Sequence, residues 1–172
     1  PVATFRAQQD VTEGKGIASG QLTATDIDNG DAAGLVFADT TAGIPGLTIN
    51  ADGSFTIDTD DVAYDNLDAG DTRTENVTYS VTDTTGDVGN GGFDIVITGT
   101  NDAPVATFVA AQAVNEDDAA ITDNLTATDV DADDVLTFSL DDVTPGLTLL
   151  GAAWTFDPAD AAYQSLAVGA TQ

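Results

Sequence analysis

Two short acidic motifs carry the groups of this 172-residue chain that are best suited to chemistry. One is Asp26-Ile-Asp28 with Asp31 close behind, and the other is Asp129-Val-Asp131 followed by two more acids. Alternate residues of an extended segment point the same way, so the carboxylates of each Asp-x-Asp converge. Carboxylates held close together repel, and Ca²⁺, which takes about six to eight oxygen ligands, removes that repulsion. The motifs therefore predict cation binding.

The two motifs belong to an internal tandem repeat. Residues 1–5 recur letter for letter at 104–108, and residues 22–28 recur at 125–131 with one Ile-to-Val change. The offset of 103 residues is the length of an immunoglobulin-sized β-sandwich, so each repeat is predicted to fold as a domain. We expect the first domain to span residues 1–103 and the second to span residues 104–172.

The composition limits the classes of partner. Thirty acidic residues against three basic ones, with no histidine, give a net charge of −27. A field of this sign repels phosphate backbones and anionic lipids, so we expect neither nucleic acid nor membrane as a partner. The chain also has no cysteine, and 42% of its residues are hydrophobic, which favours a folded core over disorder.

The hydrophobic pattern predicts an all-β fold. Thr74–Thr82 alternates apolar and polar residues, and Phe93, Ile95 and Ile97 repeat the alternation on the next strand. Asn50–Gly53 provides residues that tolerate positive φ, so it predicts a hairpin turn in which Asp52 forms the turn and is not a metal ligand. Earlier predicted strands are Val2–Phe5, Gln21–Thr25, Leu35–Ala38, Leu47–Ile49 and Ser54–Asp58.

One segment of each repeat differs from the strands. Asp60–Leu67 begins with acids that can cap a helix, and it predicts a single helical turn with four residues near one side, namely Val62, Ala63, Tyr64 and Leu67. Its counterpart at 157–166 keeps the Ala-Tyr-x-x-Leu spacing. We interpret the tyrosine and leucine as a plug over one edge of the sandwich.

The second repeat is incomplete. Residues 168–172 align with 69–73, so nothing in it matches Thr74–Thr100. A sandwich lacking two strands exposes apolar faces and unpaired strand edges. We expect that the second domain has been truncated, that its last two strands lie outside this sequence, or that another chain supplies them.

The residues of the chain do not predict an enzyme. Histidine and cysteine, the usual bases and nucleophiles, are absent, and the acids lie in loops between strands instead of forming a catalytic set. A simpler interpretation of these acids is that they are solvated loop caps whose charge serves solubility.

Several spaced motifs together resemble the VCBS and cadherin-like repeats found in tandem in giant bacterial RTX-type surface adhesins. They are Val-x-Glu near the start, Leu-Thr-Ala-Thr-Asp-x-Asp, Asp-Gly-Ser-Phe-Thr-Ile, Ala-Tyr-x-x-Leu-x-Ala-Gly, Tyr79-Ser-Val-Thr-Asp83 and Gly99-Thr-Asn-Asp-Ala-Pro104. The resemblance covers essentially the whole chain. It implies seven-stranded Greek-key sandwiches, Ig-like in type, whose joints bind Ca²⁺.

The resemblance also implies a set of calcium ligands. The residues sharing the central joint would be Glu13, Asp68, Asn101, Asp102, Asp129 and Asp131. Those facing the joint before Pro1 would be Asp26, Asp28 and Asp83. The chain departs from the family at Gly99, where cadherin-type linkers carry an acid, and at Gly70, where the Leu-Asp-x-Glu motif has its glutamate. We therefore expect each joint to bind fewer calcium ions, or to bind them more weakly.

The resemblance favours one function and leaves two others open. The first is a calcium-binding extender module of a large secreted bacterial adhesin, acting in cell adhesion and biofilm as a rod of calcium-stiffened repeats at the cell surface. The second is a segment of a self-assembling extracellular filament or sheath, completed by strand exchange between identical chains. The third is a carbohydrate-binding or enzyme-accessory β-sandwich module.

Overall fold

The computed structural model describes residues 1–4, 7–28, 30–107, 109–131, 133–167 and 170. The chain divides into two compact units. Unit 1 comprises Pro1–Asp102 with Val130–Asp133, and unit 2 comprises Ala103–Asp129 with Asp134–Gln172. No helix among the described residues is long and apolar enough to cross a membrane.

Unit 1 is a β-sandwich of two main sheets. The strands are β1 Val2–Ala3, β2 Gln9–Thr12, β3 Ile17–Gln21, β4 Ala24–Thr25, β5 Val36–Asp39, β6 Leu47–Ile49, β7 Ser54–Asp58, β8 Thr72–Thr82 and β9 Val88–Thr98. One sheet has the strand order β2-β9-β8-β5, in which β2 runs parallel to β9 and the other neighbours are antiparallel. The second sheet has the antiparallel order β3-β7-β6, and β1 pairs with β4 separately.

The core of unit 1 lies between these sheets. The alternating apolar residues of β8 and β9 point inward, and they pack against Phe55 and Ile57 of β7. The rings of Phe55 and Phe93 lie 4.9 Å apart between centroids. The buried side chains from β8 and β9 are Val77, Tyr79, Val81, Phe93, Ile95 and Ile97. The prediction of an all-β class is confirmed, because period-2 alternation produces this half-buried geometry.

The segment after β7 differs from its prediction. Tyr64 N–H donates to Asp61 O at 2.9 Å and Leu67 N–H donates to Tyr64 O at 3.0 Å, so two successive turns replace the predicted helical turn. Tyr64 is buried and its hydroxyl donates to Pro45 O at 2.8 Å. Val62 is 80% exposed, so it does not share the side occupied by Tyr64.

Other boundaries also depart from the sequence prediction. The expected strand Gln21–Thr25 divides into the end of β3 and the separate β4, and β2 was not predicted. A short 3₁₀ helix at Asp31–Gly34, preceded by Gly30 at φ 105°, was not predicted either. The first strand is observed at Val2–Ala3, and Phe5 of the predicted strand lies outside the described residues.

Unit 2 repeats only part of this architecture. Its strands are β10 Val105–Ala106, β11 Ile121–Asn124, β12 Ala127–Thr128, β13 Leu147–Leu150 and β14 Ala153–Phe156. They form a three-stranded antiparallel sheet, β11-β14-β13, and a separate pair, β10-β12. The described residues of unit 2 contain no counterpart of the sheet that β5, β8 and β9 form in unit 1.

Candidate metal centre

Glu13 is a buried carboxylate at the end of β2. Its backbone N–H donates to Thr98 O at 2.9 Å, and its Oε2 accepts from Thr100 N–H at 3.0 Å. The residue is only 3% exposed. Its Oε1 is buried and has no hydrogen-bond partner among the described residues. The parallel pairing of β2 with β9 therefore holds one desolvated carboxylate oxygen that the protein does not satisfy.

Several carboxylates act on Glu13. Burial raises the pKa of Glu13 above its usual range, and the hydrogen bond from Thr100 only partly offsets this. The nearby carboxylates of Asp102, Asp65 and Asp131 raise the pKa of Glu13 further. Sequence reasoning named Asp102 and Asp131 but missed Asp65. The one signal available for Asp65 was its place in an acid-rich stretch that ends at Asp68.

The second Asp-x-Asp motif forms a close group of carboxylates. Asp129, Asp131 and Asp134 each offer an oxygen, and these atoms lie within 4.8 Å of one another. Asp131 is 4% exposed, and its Oδ2 accepts from Asp102 N–H at 2.7 Å. Asp134 belongs to the motif but was not among the ligands carried over from the resemblance. The ligand role of all three residues remains a prediction.

Asp68 and Asn101 complete the first predicted set. Asp68 Oδ1 is buried and has no hydrogen-bond partner in the described part of the chain. The side-chain amide of Asn101 donates to the carbonyl of Asp102. A Cβ at Gly99 would collide with the carbonyl oxygens of Leu67 and Asp68. Close backbone packing therefore explains why this position has no acidic side chain.

The first Asp-x-Asp motif lies near a positive charge. The amine of Pro1 is 2.8 Å from Asp26 Oδ2 and 3.9 Å from Asp83 Oδ2. Its hydrogen bond is the main reason that the pKa of Asp26 lies below the usual range, helped by a second bond from Asp28 N–H. Asp28 itself is exposed, and the side chain of Asp31 is outside the described structure. Asp26 and Asp83, two of the residues predicted to face the joint before Pro1, therefore lie near the same backbone atom.

Asp83 also has a structural role. Its Oδ1 accepts from the N–H and hydroxyl of Thr85 and from the N–H groups of Gly86 and Asp87, all at 2.8–2.9 Å. Burial raises the pKa of Asp83, but these hydrogen bonds outweigh it and leave the pKa below the usual value. One oxygen therefore holds the turn between β8 and β9, and Oδ2 faces the amine of Pro1.

Asp52 behaves as the turn former that the sequence predicted. Its Oδ1 accepts from Ser54 N–H at 2.9 Å and from the Ser54 hydroxyl at 2.6 Å, and these bonds lower the pKa of Asp52. Gly53 adopts φ 82°, a conformation that favours glycine. Asp52 is exposed and serves as a reference acid with a purely local role.

The donor atoms of the site fit a hard cation. Carboxylate and amide oxygens are the ligands that Ca²⁺ takes, whereas zinc and copper sites use histidine and cysteine, which this chain lacks. Glu13 Oε1 and Asp68 Oδ1 are buried without a hydrogen-bond partner among the described residues, and a bound cation would compensate both oxygens. The arrangement is therefore suited to binding a divalent ion.

The architecture defines the class: unit 1 has a cadherin-like, Ig-type β-sandwich fold. No protein-family model matches the chain, and no curated protein does. Among solved structures, the EC1-4 segment of PcdhgB3 is similar with a TM-score of 0.57 and 15% identity, over 96% of this chain and 42% of that one. N-cadherin EC1-4 from Drosophila gives a TM-score of 0.51 and 16% identity, over 89% of this chain and 40% of that one. The chain thus spans about two fifths of these structures, and the likeness establishes the fold.

Proposed function

We propose that this chain is a calcium-binding segment of an extracellular adhesion protein built from cadherin-like repeats. The observation that carries the proposal is the buried, unsatisfied Oε1 of Glu13, which lies in a field of further carboxylates. A buried carboxylate is costly unless it is compensated by a counter-charge or hydrogen bonds. A cation that binds only the folded site stabilises it by mass action.

The basic residues whose contacts are described do not supply this counter-charge. The guanidinium of Arg73 lies 2.7 Å from Glu75, donates to Ala63 O at 2.9 Å and stacks over the Tyr64 ring. Arg6 lies outside the described residues, and the backbone of Lys15 follows the turn after β2. With a net charge of −27, a divalent ion is the natural partner for the acids around Glu13.

The finer proposal concerns the parent protein. The internal repeat and its spaced motifs support an extender module of a large secreted bacterial adhesin of the VCBS and RTX type, located at the cell surface and acting in adhesion and biofilm. Its partners would be neighbouring repeats of the same protein. The oxygen-only donor set supports a binding module in preference to an enzyme.

The test is calcium binding by the 172-residue chain after treatment with EDTA. We expect heat release in calorimetry and a higher melting temperature in millimolar Ca²⁺, with little gain from the same ionic strength of NaCl, because screening does not replace coordination. Asp131→Asn should reduce the gain, whereas Asp52→Asn, the matched control, should not. Equal melting temperatures in EDTA and Ca²⁺ would refute the proposal.

A further inference from the structure

Two asparagines of the chain are followed two positions later by a threonine, in the segments Asn76-Val77-Thr78 and Asn124-Leu125-Thr126. Asn-x-Thr, where x is not proline, is the acceptor sequence of N-linked glycosylation, a surface modification of secreted proteins. The motif needs both the asparagine amide and the threonine hydroxyl, so both groups must be accessible to a transferase. The sequence of the motif is the same in both segments, and the surrounding fold therefore decides which asparagine an enzyme can reach.

Both groups of the first motif are engaged within unit 1. Asn76 lies in the middle of β8, and its side-chain amide donates to Asp94 Oδ1 on β9 at 2.7 Å. The hydroxyl of Thr78 accepts from the Thr40 hydroxyl at 3.0 Å. The backbone of β8 is paired with β9 along its whole length. A transferase could therefore take Asn76 only after local opening of this hairpin.

The second motif is open to solvent at the edge of a sheet. Asn124 is the last residue of β11, and β11 is the edge strand of the order β11-β14-β13. Asn124 and Thr126 are both exposed. Their backbones form hydrogen bonds, but within the described part of the chain neither side chain forms one. Amide and hydroxyl are thus both available without any change in the fold.

Unit 1 contains the same corner of the fold with glutamine in place of asparagine. Gln21 is the exposed last residue of β3, which is also an edge strand, and the same Leu-Thr pair follows it. In each unit the N–H of this leucine donates to a carbonyl of the facing hairpin turn at 2.8 Å. The threonine carbonyl accepts a backbone N–H at 2.9 Å in unit 1 and at 2.8 Å in unit 2. The corner therefore has the same backbone in both units, and only unit 2 carries the acceptor asparagine.

We propose that Asn124 is a site of N-linked glycosylation and that Asn76 is not modified in the folded chain. The donor is a sugar whose anomeric carbon carries a diphosphate leaving group. Asn124 Nδ2 forms a bond to the anomeric carbon, the bond from that carbon to the phosphate oxygen breaks, and the nitrogen loses one proton to a base of the transferase. A sugar at this position would shield the edge of β11, where backbone groups are otherwise available to another strand.

The experiment incubates the 172-residue chain with a purified N-glycosyltransferase that recognises Asn-x-Thr and with UDP-glucose. A second reaction uses an oligosaccharyltransferase and its lipid-linked donor, so the two reactions distinguish the two classes of diphosphate donor. We expect mass spectrometry to show one added sugar or oligosaccharide, mapped to Asn124, in at least one reaction. Synthetic peptides of residues 71–82 and 119–130 carry the two motifs without the fold, and we expect that enzyme to modify both.

Variants of the whole chain identify the acceptor. Asn124→Gln, which places in unit 2 the residue that unit 1 has at Gln21, and Thr126→Ala should each abolish the modification. Asn76→Gln is the matched control and should leave it unchanged. Gln21→Asn should add a second acceptor, because it completes the motif at the same corner of unit 1. A chain that stays unmodified in both reactions, equal modification of Asn76 and Asn124, or no second sugar on Gln21→Asn would overturn the proposal.

Discussion

The sharpest test of the proposed metal centre is Glu13→Gln, which should make the protein more stable than the wild type without calcium and less stable than the wild type with calcium. Glutamine keeps the shape of the side chain, and its carbonyl oxygen can still accept from Thr100 N–H. The substitution removes the charge, and its NH₂ group can donate to the surrounding carboxylates. Glu13→Gln therefore separates the cost of the buried charge to the stability of the fold from the use of that charge as a calcium ligand.

The magnitude follows from the burial of Oε1. A buried polar atom without a partner costs about 1–3 kcal/mol, so relief of this cost should add about 1 kcal/mol in EDTA near neutral pH. For a domain of this size, about 1 kcal/mol raises the melting temperature by roughly 4–8 °C. Calcium at about 100 times its dissociation constant adds about 2.7 kcal/mol to a binding-competent fold. Loss of the Glu13 ligand should remove much of that gain. The variant should therefore be the more stable protein in EDTA and the wild type the more stable protein in Ca²⁺.

The pH dependence has a defined sign. Because burial raises the pKa of Glu13 in the folded state, protonation favours folding, and the wild-type protein without calcium gains stability as the pH falls through that raised pKa. The contribution is complete below the ordinary glutamate pKa of about 4.3 and is lost as the pH rises. Glu13→Gln lacks this contribution. Its advantage in EDTA should therefore be largest near neutral pH and should vanish in acid.

The assay is thermal unfolding followed by circular dichroism, in EDTA and in millimolar Ca²⁺, at several pH values. Asp10→Asn is the control, because it removes the same charge from an exposed position of unit 1. If Glu13→Gln lowers the melting temperature in EDTA, the carboxylate is already satisfied in the folded protein. If calcium stabilises both proteins equally, Glu13 is not a ligand.

Three further predictions follow from individual residues. Asp131→Ala should lower the affinity for Ca²⁺ in calorimetry far more than Asp52→Ala, because Asp131 belongs to a close group of carboxylates, whereas the side chain of Asp52 only forms a hairpin turn; equal effects would contradict the site. Gly99→Ala should destabilise unit 1 by about 1–3 kcal/mol in urea unfolding, since its Cβ has no space, and an unchanged midpoint would show that the backbone can move. Residues 104–172 alone should be unfolded or associated in circular dichroism and light scattering, because each half-exposed apolar side chain costs about 1.5–3 kcal/mol; a monomer that unfolds cooperatively would contradict this.

Local sequence patterns were sufficient for part of the fold. Strands β6 and β7 begin and end where the sequence predicted, because a turn rich in Asn, Asp and Gly separates two alternating segments. Strand β2 was missed because Val11 is the one apolar residue in Gln9–Thr12. Its partner, β9, lies more than eighty residues away in sequence, so its stability is entirely non-local.

The same distinction applies to the metal centre. The convergence of Asp129 and Asp131 could be predicted from two residues in the sequence, although both follow β12 and Asp131 lies in a bend and not in a strand. The burial of Glu13 could not, because it depends on Thr98 and Thr100 at the end of β9. Asp65 could not be assigned for a similar reason: no local pattern places a turn residue near an acid fifty residues earlier.

The carboxylate of Glu13 and its counterpart in the second repeat, Glu116, differ in what holds them. Glu13 Oε2 accepts from the N–H of Thr100, which follows β9, whereas Glu116 has a buried Oε2 with no hydrogen-bond partner among the described residues. Ala167 stands where unit 1 has Asp68, so a site at Glu116 would have one carboxylate fewer than the proposed site at Glu13. Because Ca²⁺ takes its ligands from carboxylate and other oxygens, we expect Glu116 to contribute less to calcium binding than Glu13.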